Sequence, residues 1–506
     1  MQSEPRACVI IGGGVAGLTA ALHLTERGLL PLVLEAEPAF LGGRWSTKPA
    51  VELTSADGRR WSFPAEHGIH GLWWQYKNLK AMAARHGFMP ELVFADRQQW
   101  VHGESNGKIL RCEMGRGVRR TILWPAPFHY GALSFYPPFV RMLTFSDIFK
   151  IPVVLGTLLT ATAIDPLVEG VSLEGKTVAD LCKGWPPRMT AFLATLARSG
   201  LSAHLDQVPA AGFIAFLRFY SLLRRDSQRF HYLPTDPETA LIAPMAEKIV
   251  RAGAEIRKDA RVERLERVGE TGWVVFLENG EKIEALHVIV ATDAPAASRI
   301  FNNSPTTAAI TADMKWPEGR HTGVLRFWFS ESPRKRTAEA GIISGDFILD
   351  NFFWLHRILN SFKEWHTATG GSALETHIYS QETLDLDDAT IIAQAREAVE
   401  RIFPKLKGKI LHVTFQRNPP SHTLFGIGSL AHHMGVRTPF PGLSCCGDWV
   451  RNPLPALFLE RAVATAILAA NAALEEKGLP VFELEKYDKP EFFARLISGW
   501  ISSARV

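Results

Sequence analysis

The strand-like run Cys8-Val9-Ile10-Ile11 passes directly into Gly12-Gly13-Gly14-Val15-Ala16-Gly17 and then into an apolar helix. A chain that starts this way is constrained to a dinucleotide-binding strand–turn–helix unit. Gly12 permits the tight turn, Gly14 lets the backbone approach a pyrophosphate, and Gly17 allows the helix to pack closely on the strand. The first helical turn, with Val15 and Ala16, presents unpaired N–H groups and a partial positive charge to phosphates. A second apolar strand, Leu32-Val33-Leu34, ends at Glu35 and Ala36. Glu35 lies eighteen residues past Gly17, where a carboxylate can accept hydrogen bonds from ribose hydroxyls.

The alternative is an ordinary glycine-rich turn, and the ordered sequence of strand, glycines, helix, strand and acid argues against it. Leu41-Gly42-Gly43-Arg44-Trp45 follows, with paired glycines and an arginine able to lie along a diphosphate. This arrangement resembles the FAD-dependent amine oxidase and carotenoid desaturase superfamily, and the resemblance implies FAD as cofactor. Near the other end, the strand-like Leu443-Ser444-Cys445-Cys446 leads into Gly447-Asp448-Trp449 and a helix-like run from Leu454 to Leu474. In the resembled superfamily the aspartate of this late turn holds the ribityl chain and the helix N-terminus faces the flavin. That assigns Gly447, Asp448, Pro455 and Ala456 to the cofactor. Read without the resemblance, Gly-Asp before a helix is an Asx turn or an N-cap.

At 506 residues with 46% apolar content, the chain is expected to fold as more than one globular domain. A formal charge of +4 with nearly balanced acids and bases gives no basic stripe or tail, so no nucleic-acid partner is expected. Five cysteines at irregular spacing argue against a disulfide framework and offer no zinc or iron–sulfur motif, so no metal is expected. The N-terminal apolar run is the strand of the nucleotide fold rather than a signal peptide, and a reducing, cytoplasmic location is expected. The longest apolar stretch, Ile151 to Ile164, contains a proline, a glycine and several threonines and falls short of the roughly 20 residues of a membrane span.

The nucleotide fold reads as discontinuous. A helix-like stretch from Ala240 to Ala252 ends at Gly253, then short strands follow at Arg261–Leu265, Trp273–Leu277 and Lys282–Ala285, the last two joined by an Asn279-Gly280 turn. His287-Val288-Ile289-Val290-Ala291-Thr292 returns as a buried strand. By resemblance, Val262 lies beside adenine, and Ala291 and Thr292 cross near the flavin. The expected fold is α/β: a Rossmann-like FAD-binding domain (residues 1–90, 235–300 and 436–480), with a mixed sheet and a ββ meander. An inserted α+β substrate domain takes 91–234 and 301–435, and 481–506 forms a C-terminal amphipathic tail.

The inserts are rich in aromatic residues and prolines from Trp124 to Phe139, which form either a shaped apolar wall or a buried core. Gly323–Phe329 and Leu374–Tyr379 read as strands. Phe492, Phe493, Leu496, Ile497, Trp500 and Ile501 share one face of a terminal helix, which either lies on lipid or docks on its own domain. Peripheral membrane contact is expected on this basis.

Glu66-His67-Gly68-Ile69-His70-Gly71-Leu72, Gln75 to Leu79, Asp350 to Arg357, and Pro455 to Ala462 resemble the carotenoid desaturases, closest to the isorenieratene synthases, the β-carotene desaturase/methyltransferases. The resemblance implies a carotenoid substrate. Hydride loss from a β-ionone ring beside its gem-dimethyl carbon leaves a cation to which one methyl migrates, a proton is lost, and a second oxidation aromatises the ring. The shift is intramolecular, consistent with a single nucleotide-binding glycine loop. The electron acceptor, oxygen or a quinone, stays open. Glu66, His67 and His70 are the candidate catalytic groups, with structural histidines as the alternative. Arg44 and Lys77 can tune flavin or bind phosphate, and His356 and Glu375 are weaker candidates. The competing readings are a desaturase or isomerase of linear carotenes such as phytoene or ζ-carotene, a flavin amine oxidase, and a prenyl-lipid binding protein without redox chemistry.

Overall fold

A computed structural model describes residues 4–94, 97–118, 121–167, 173–227, 229–428 and 432–503. Five short strands of three residues each form a parallel sheet in the order Glu255–Arg257, Leu32–Leu34, Val9–Ile11, Val288–Val290 and Leu443–Cys445. Four of them are buried along their whole length, as continuous apolar runs between two covering layers require. One layer is the helix pair Val15–Glu26 and Phe458–Glu476, where Ala20, Ala21, Ala466, Ala469, Ala470 and Ala473 are buried. The other is the antiparallel meander Val262–Val268, Gly272–Leu277 and Lys282–Ala285 with helix Ala294–Asn303. The Asn279-Gly280 turn closes the hairpin as its sequence predicts, with Gly280 at φ +88°.

The late helix begins later than its apolar pattern suggests, at Phe458 rather than Leu454. Pro453 and Pro455 have no N–H to give a helical ladder, and Phe458 itself sits at φ +53°, so Pro455 and Ala456 lie in the loop before it.

A second, larger sheet of seven strands runs Ile410–Leu424, Glu318–Phe329, Ser372–Ile378, Asn351–Trp354, Ala340–Gly345, Gln98–Gly103 and Ile109–Glu113. It draws on both inserts. Helix Asp388–Ile402 packs its Ile391, Ala395, Ala398 and Val399 on one face of this sheet, while helix Pro187–Leu201 packs near the interior strand Ala340–Gly345. The hairpin Thr47–Thr54 and Arg60–Glu66 belongs to the same body: Trp61 and Phe63 pack with Trp328, Phe362 and Trp365. The substrate-side layer therefore reaches back to residue 47, ahead of the boundary expected at 90, because two large aromatic side chains bury against the second sheet.

Phe145–Ala163 is a 19-residue apolar segment of mean hydropathy 1.3, only 22% buried, built from helices Phe145–Ile148 and Ile151–Ala163. By length and composition it is long enough to cross a membrane, contrary to the sequence estimate. The threonines do not weaken it, since Thr157, Thr160 and Thr162 each donate their hydroxyl to the carbonyl four residues back, at 3.1, 2.9 and 2.8 Å. The C-terminal helix Phe492–Ser503 packs against it. The side chains of Trp500 and Ile501, assigned above to its apolar face, lie outside the described residues.

Candidate active site

One cavity of about 990 Å³ runs between the two sheets. Its nucleotide end is lined by Gly12, Val15, Ala16, Glu35, Ala36, Gly42, Gly43, Arg44, Trp45, Val262, Ala291, Thr292, Gly447 and Asp448. The glycines are there for want of space. A Cβ on Gly12, at φ +111°, would lie 2.9 Å from the Ala291 carbonyl oxygen, and one on Gly17 would lie 1.9 Å from that of Gly12. Gly17 thus acts by letting the helix approach the strand and does not itself line the cavity; nor do Gly14, Pro455 or Ala456.

Three features fit FAD. The helix starting at Val15 has no side-chain cap at Gly14, so its first N–H groups are free for phosphate. Glu35 is held at the end of its strand by accepting the Gly13 and Glu37 N–H groups at 2.7 and 2.8 Å, and each oxygen keeps a lone pair for a ribose hydroxyl. Arg44 donates to Asp448 at 2.6 Å, and Thr423 donates to the other carboxylate oxygen at 3.2 Å, setting a cation and an oriented acid at the same end of the cavity. Bound FAD supplies a hydride acceptor at its ring N5, and the chain supplies orientation and a dry enclosure.

Beyond Arg44 the wall turns to imidazoles. His67, His70, His377 and His422 all line the cavity. Burial lowers the His67 pKa well below its usual value, with His70 and Arg44 adding to the effect. Burial and the Arg44 charge pull His70 down to about 3, and burial pulls His422 to about 4. All three are neutral at physiological pH. His67 Nε2 and His70 Nδ1 are buried with no hydrogen-bond partner among the described residues.

Glu66 is buried next to them but is not part of the cavity wall. Its carbonyl accepts Arg326, and burial together with the Glu375 charge pushes its carboxyl well above the usual range. Glu375, singled out weakly by sequence, is instead held as an anion. Burial alone would raise it, but Arg326, donating at 2.7 Å, and His377, at 2.8 Å, bring it to about 2. His356 packs away from the cavity against Trp354 and His366, and Lys77 pairs with Asp488 at 3.0 Å. His377, Tyr379 and His422 were not singled out by sequence, although Glu375, His377 and Tyr379 alternate along one strand face.

The far end is apolar: Tyr130, Leu133, Phe139, Trp185, Met189 and Phe192 line it with Ile151, Val154, Leu155 and Leu158. The last four fall at i, i+3, i+4 and i+7 of helix Ile151–Ala163, so one face of the surface helix is cavity wall. The sequence alternatives for the Trp124–Phe139 region, wall or core, are both realised, since Phe139 is buried and borders the cavity.

The family described as flavin containing amine oxidoreductase matches residues 188–474, more than half of the chain. The chain belongs to that family. A NAD(P)-binding Rossmann-like domain matches residues 10–86, the segment holding the glycine loop and Glu35. The protein is an FAD-dependent oxidoreductase, and the nucleotide end of the cavity carries the residues that would hold FAD. Among curated relatives, a carotenoid phi-ring synthase of Streptomyces griseus is 27% identical over 94% of this chain and 88% of its own. A 15-cis-phytoene desaturase of Capsicum annuum is 23% identical over 95% and 79%. Among solved structures, cyclohexylamine oxidase from Brevibacterium oxydans superposes with a TM-score of 0.68 at 16% identity, over 94% of this chain and 100% of that one. The last likeness is one of fold.

Proposed function

We propose that this flavoenzyme desaturates a carotenoid and aromatises its β-ionone ring with an intramolecular methyl shift. The carrying observation is the continuity of the cavity: one space joins the FAD site, the neutral histidines and an apolar end walled by Ile151, Val154, Leu155 and Leu158. The volume of about 990 Å³ takes in the FAD site as well as the apolar end, so the room for substrate is the apolar part beyond the histidines. The full-length likeness to a carotenoid phi-ring synthase supports a cyclic end group over a linear one. A small amine would leave the apolar end unfilled, which speaks against an amine substrate.

The same reading includes peripheral attachment to a membrane. Phe145, Ile148 and Phe149 are exposed just ahead of helix Ile151–Ala163 and Val153 on its outer side, and Phe492, Phe493 and Leu496 extend the patch on the packed C-terminal helix. Arg141 and Arg495 are exposed beside it, suited to anionic headgroups. A helix with one face on the cavity and the other bare fits an interfacial position rather than a span, which supports a substrate opening at the lipid surface. Five buried free cysteines suit a reducing compartment.

Expression in a host that accumulates β-carotene, followed by chromatography and mass measurement of its pigments, tests the substrate. Aryl end groups are expected. Unchanged β-carotene beside a flavin-loaded protein would refute ring aromatisation, and conversion of phytoene or ζ-carotene instead would favour the linear-carotene reading.

A further inference from the structure

The strand Ser372–Ile378 and the residue after it bring three polar side chains to one face, Glu375, His377 and Tyr379, at i, i+2 and i+4. Leu374 and Ile378, on the opposite face, pack in the apolar core under helix Asp388–Ile402. A charged and polar row in a central, fully buried strand is costly unless it is satisfied, and here every member is joined to the next. Glu375 accepts from Arg326 on one oxygen and from the Ile69 N–H, at 2.6 Å, and His377 on the other. His377 Nδ1 lies 2.9 Å from the Tyr379 hydroxyl and 3.2 Å from the Asn351 amide nitrogen. With the carboxylate able only to accept, the network puts an N–H on His377 Nε2 and turns Nδ1 towards Tyr379 and Asn351.

His377 and Tyr379 both line the cavity, between its nucleotide and apolar ends. A Cβ on Gly68 would sit 3.1 Å from His377 Nε2, so the His67–His70 loop lies directly on this row. The Tyr379 ring is 6.3 Å from that of His422, which the charges of Arg44 and Asp448 both reach. On its other side Tyr379 borders a second pocket of about 20 Å³, room for one water. There Ser202 Oγ and Arg320 Nε are buried with no hydrogen-bond partner among the described residues, and the exposed pair His204 and Glu382 marks the way to solvent.

We propose that Tyr379 is the group that takes the substrate proton, with His377 and Glu375 as the positioning residues that make its oxygen basic and the small pocket as the route by which the proton leaves. The inference rests on the desaturase reading. The electron pair of one substrate C–H bond leaves with its hydrogen as hydride to FAD, the oxidant. A neighbouring C–H bond then breaks: its electron pair forms the new C=C bond and its proton forms an O–H bond at Tyr379. The original Tyr379 hydroxyl proton moves to His377 Nδ1, and the imidazolium so formed is stabilised by Glu375. This is the logic of a nucleophile–histidine–carboxylate triad turned to proton abstraction.

The test compares the FAD-loaded protein with Tyr379→Phe and His377→Gln in β-carotene liposomes, without oxygen, with rapid quenching and pigment chromatography. Flavin content and melting temperature are measured on each protein before substrate is added. Tyr379→Phe removes one oxygen, and it is expected to retain FAD, fold and KM while first-turnover product formation falls about 10²–10⁴-fold. His377→Gln is expected to lower kcat in the same way with KM unchanged. A Tyr379→Phe first turnover within threefold of wild type overturns the relay, as does a loss confined to His70→Gln. Should Tyr379→Phe lose FAD or fold, the His377→Gln split of kcat from KM decides: an intact kcat refutes the relay. A wild-type protein inert towards cyclic and linear carotenes alike sinks the desaturase reading and the relay with it, and only that outcome touches both.

Discussion

At the nucleotide end of the cavity the shaping is done by main chain: Gly12 and Gly42 leave room where a side chain would intrude, and Glu35 and Asp448 add the few directed acceptors. At the apolar end it is done by side chains on helices, Ile151, Val154, Leu155, Leu158 and Trp185. The first kind of wall tolerates almost no change, because a backbone carbonyl cannot move aside for a methyl group. The second can be repacked, because dispersion contacts are spread over many atoms. The lesson is that cofactor identity and substrate identity are held by parts of the chain with very different tolerance.

The sharpest way to break this contrast is Gly17→Val. Its Cβ would meet the Gly12 carbonyl at 1.9 Å, so the helix must leave the strand. Overpacking costs about 1–3 kcal/mol even in a yielding core, and here a protein without flavin absorbance and with a lowered melting temperature is expected. A yellow, normally stable variant would show that this wall yields after all. Asp448→Ala comes next. Losing a charge-assisted hydrogen bond of about 1.5–3 kcal/mol weakens FAD binding roughly 10- to 100-fold, read by flavin release during dialysis. An unchanged affinity would remove Asp448 from the cofactor site.

On the tolerant side, Phe145→Ser with Phe149→Ser removes two exposed rings that stack edge to face at 5.4 Å. Partial immersion of rings whose full burial is worth about 1.5–3 kcal/mol each predicts about a tenfold loss of liposome binding, with FAD content and turnover in detergent preserved. Equal flotation of variant and wild type would disprove the interfacial face. The smallest effect on cofactor and substrate handling is expected off the cavity, where helices Lys77–Arg85 and Phe458–Glu476 meet. Glu460 accepts Asn78 and Leu79 N–H groups and is buried. Burial raises its carboxyl to about 7 from 4.5. A raised folded-state pKa gives stability that is complete below about 4.5 and lost as pH rises through about 7. Glu460→Gln is therefore expected to flatten the stability profile over that window by about 3 kcal/mol, in chemical denaturation at several pH values. A parallel profile would mean that Glu460 does not titrate there.

The parts that were legible in sequence are those written in consecutive residues. The glycine loop, Glu35, the Asn279-Gly280 hairpin and the strand at Val288 each carry their own geometry, and the parallel sheet follows from them. The early hairpin was not legible as part of the second sheet's packing, because Trp61 and Phe63 pack on residues hundreds of positions away. The apolar segment ending at Ala163 was underestimated because its threonines bond to their own backbone. Glu66 was placed among the catalytic candidates by its neighbours His67 and His70, yet a strand alternates its faces and Glu66 turns away from the cavity wall. The row Glu375-His377-Tyr379 has a period-two signal, but which face of a central strand meets the cavity is decided by strands 351–354 and 318–329, not by the strand itself.

The account's central claim is that a single cavity delivers the ring of a membrane-dissolved carotene to FAD. The direct measurement is an anaerobic turnover of purified, FAD-loaded protein with β-carotene liposomes, with pigments extracted and weighed by mass spectrometry. Before an acceptor is admitted, one two-electron dehydrogenation of the carotene per enzyme-bound FAD is expected, and the aryl end group, which needs a second oxidation, is expected once the acceptor is added. Recovery of β-carotene alone, with FAD still oxidised, would contradict it.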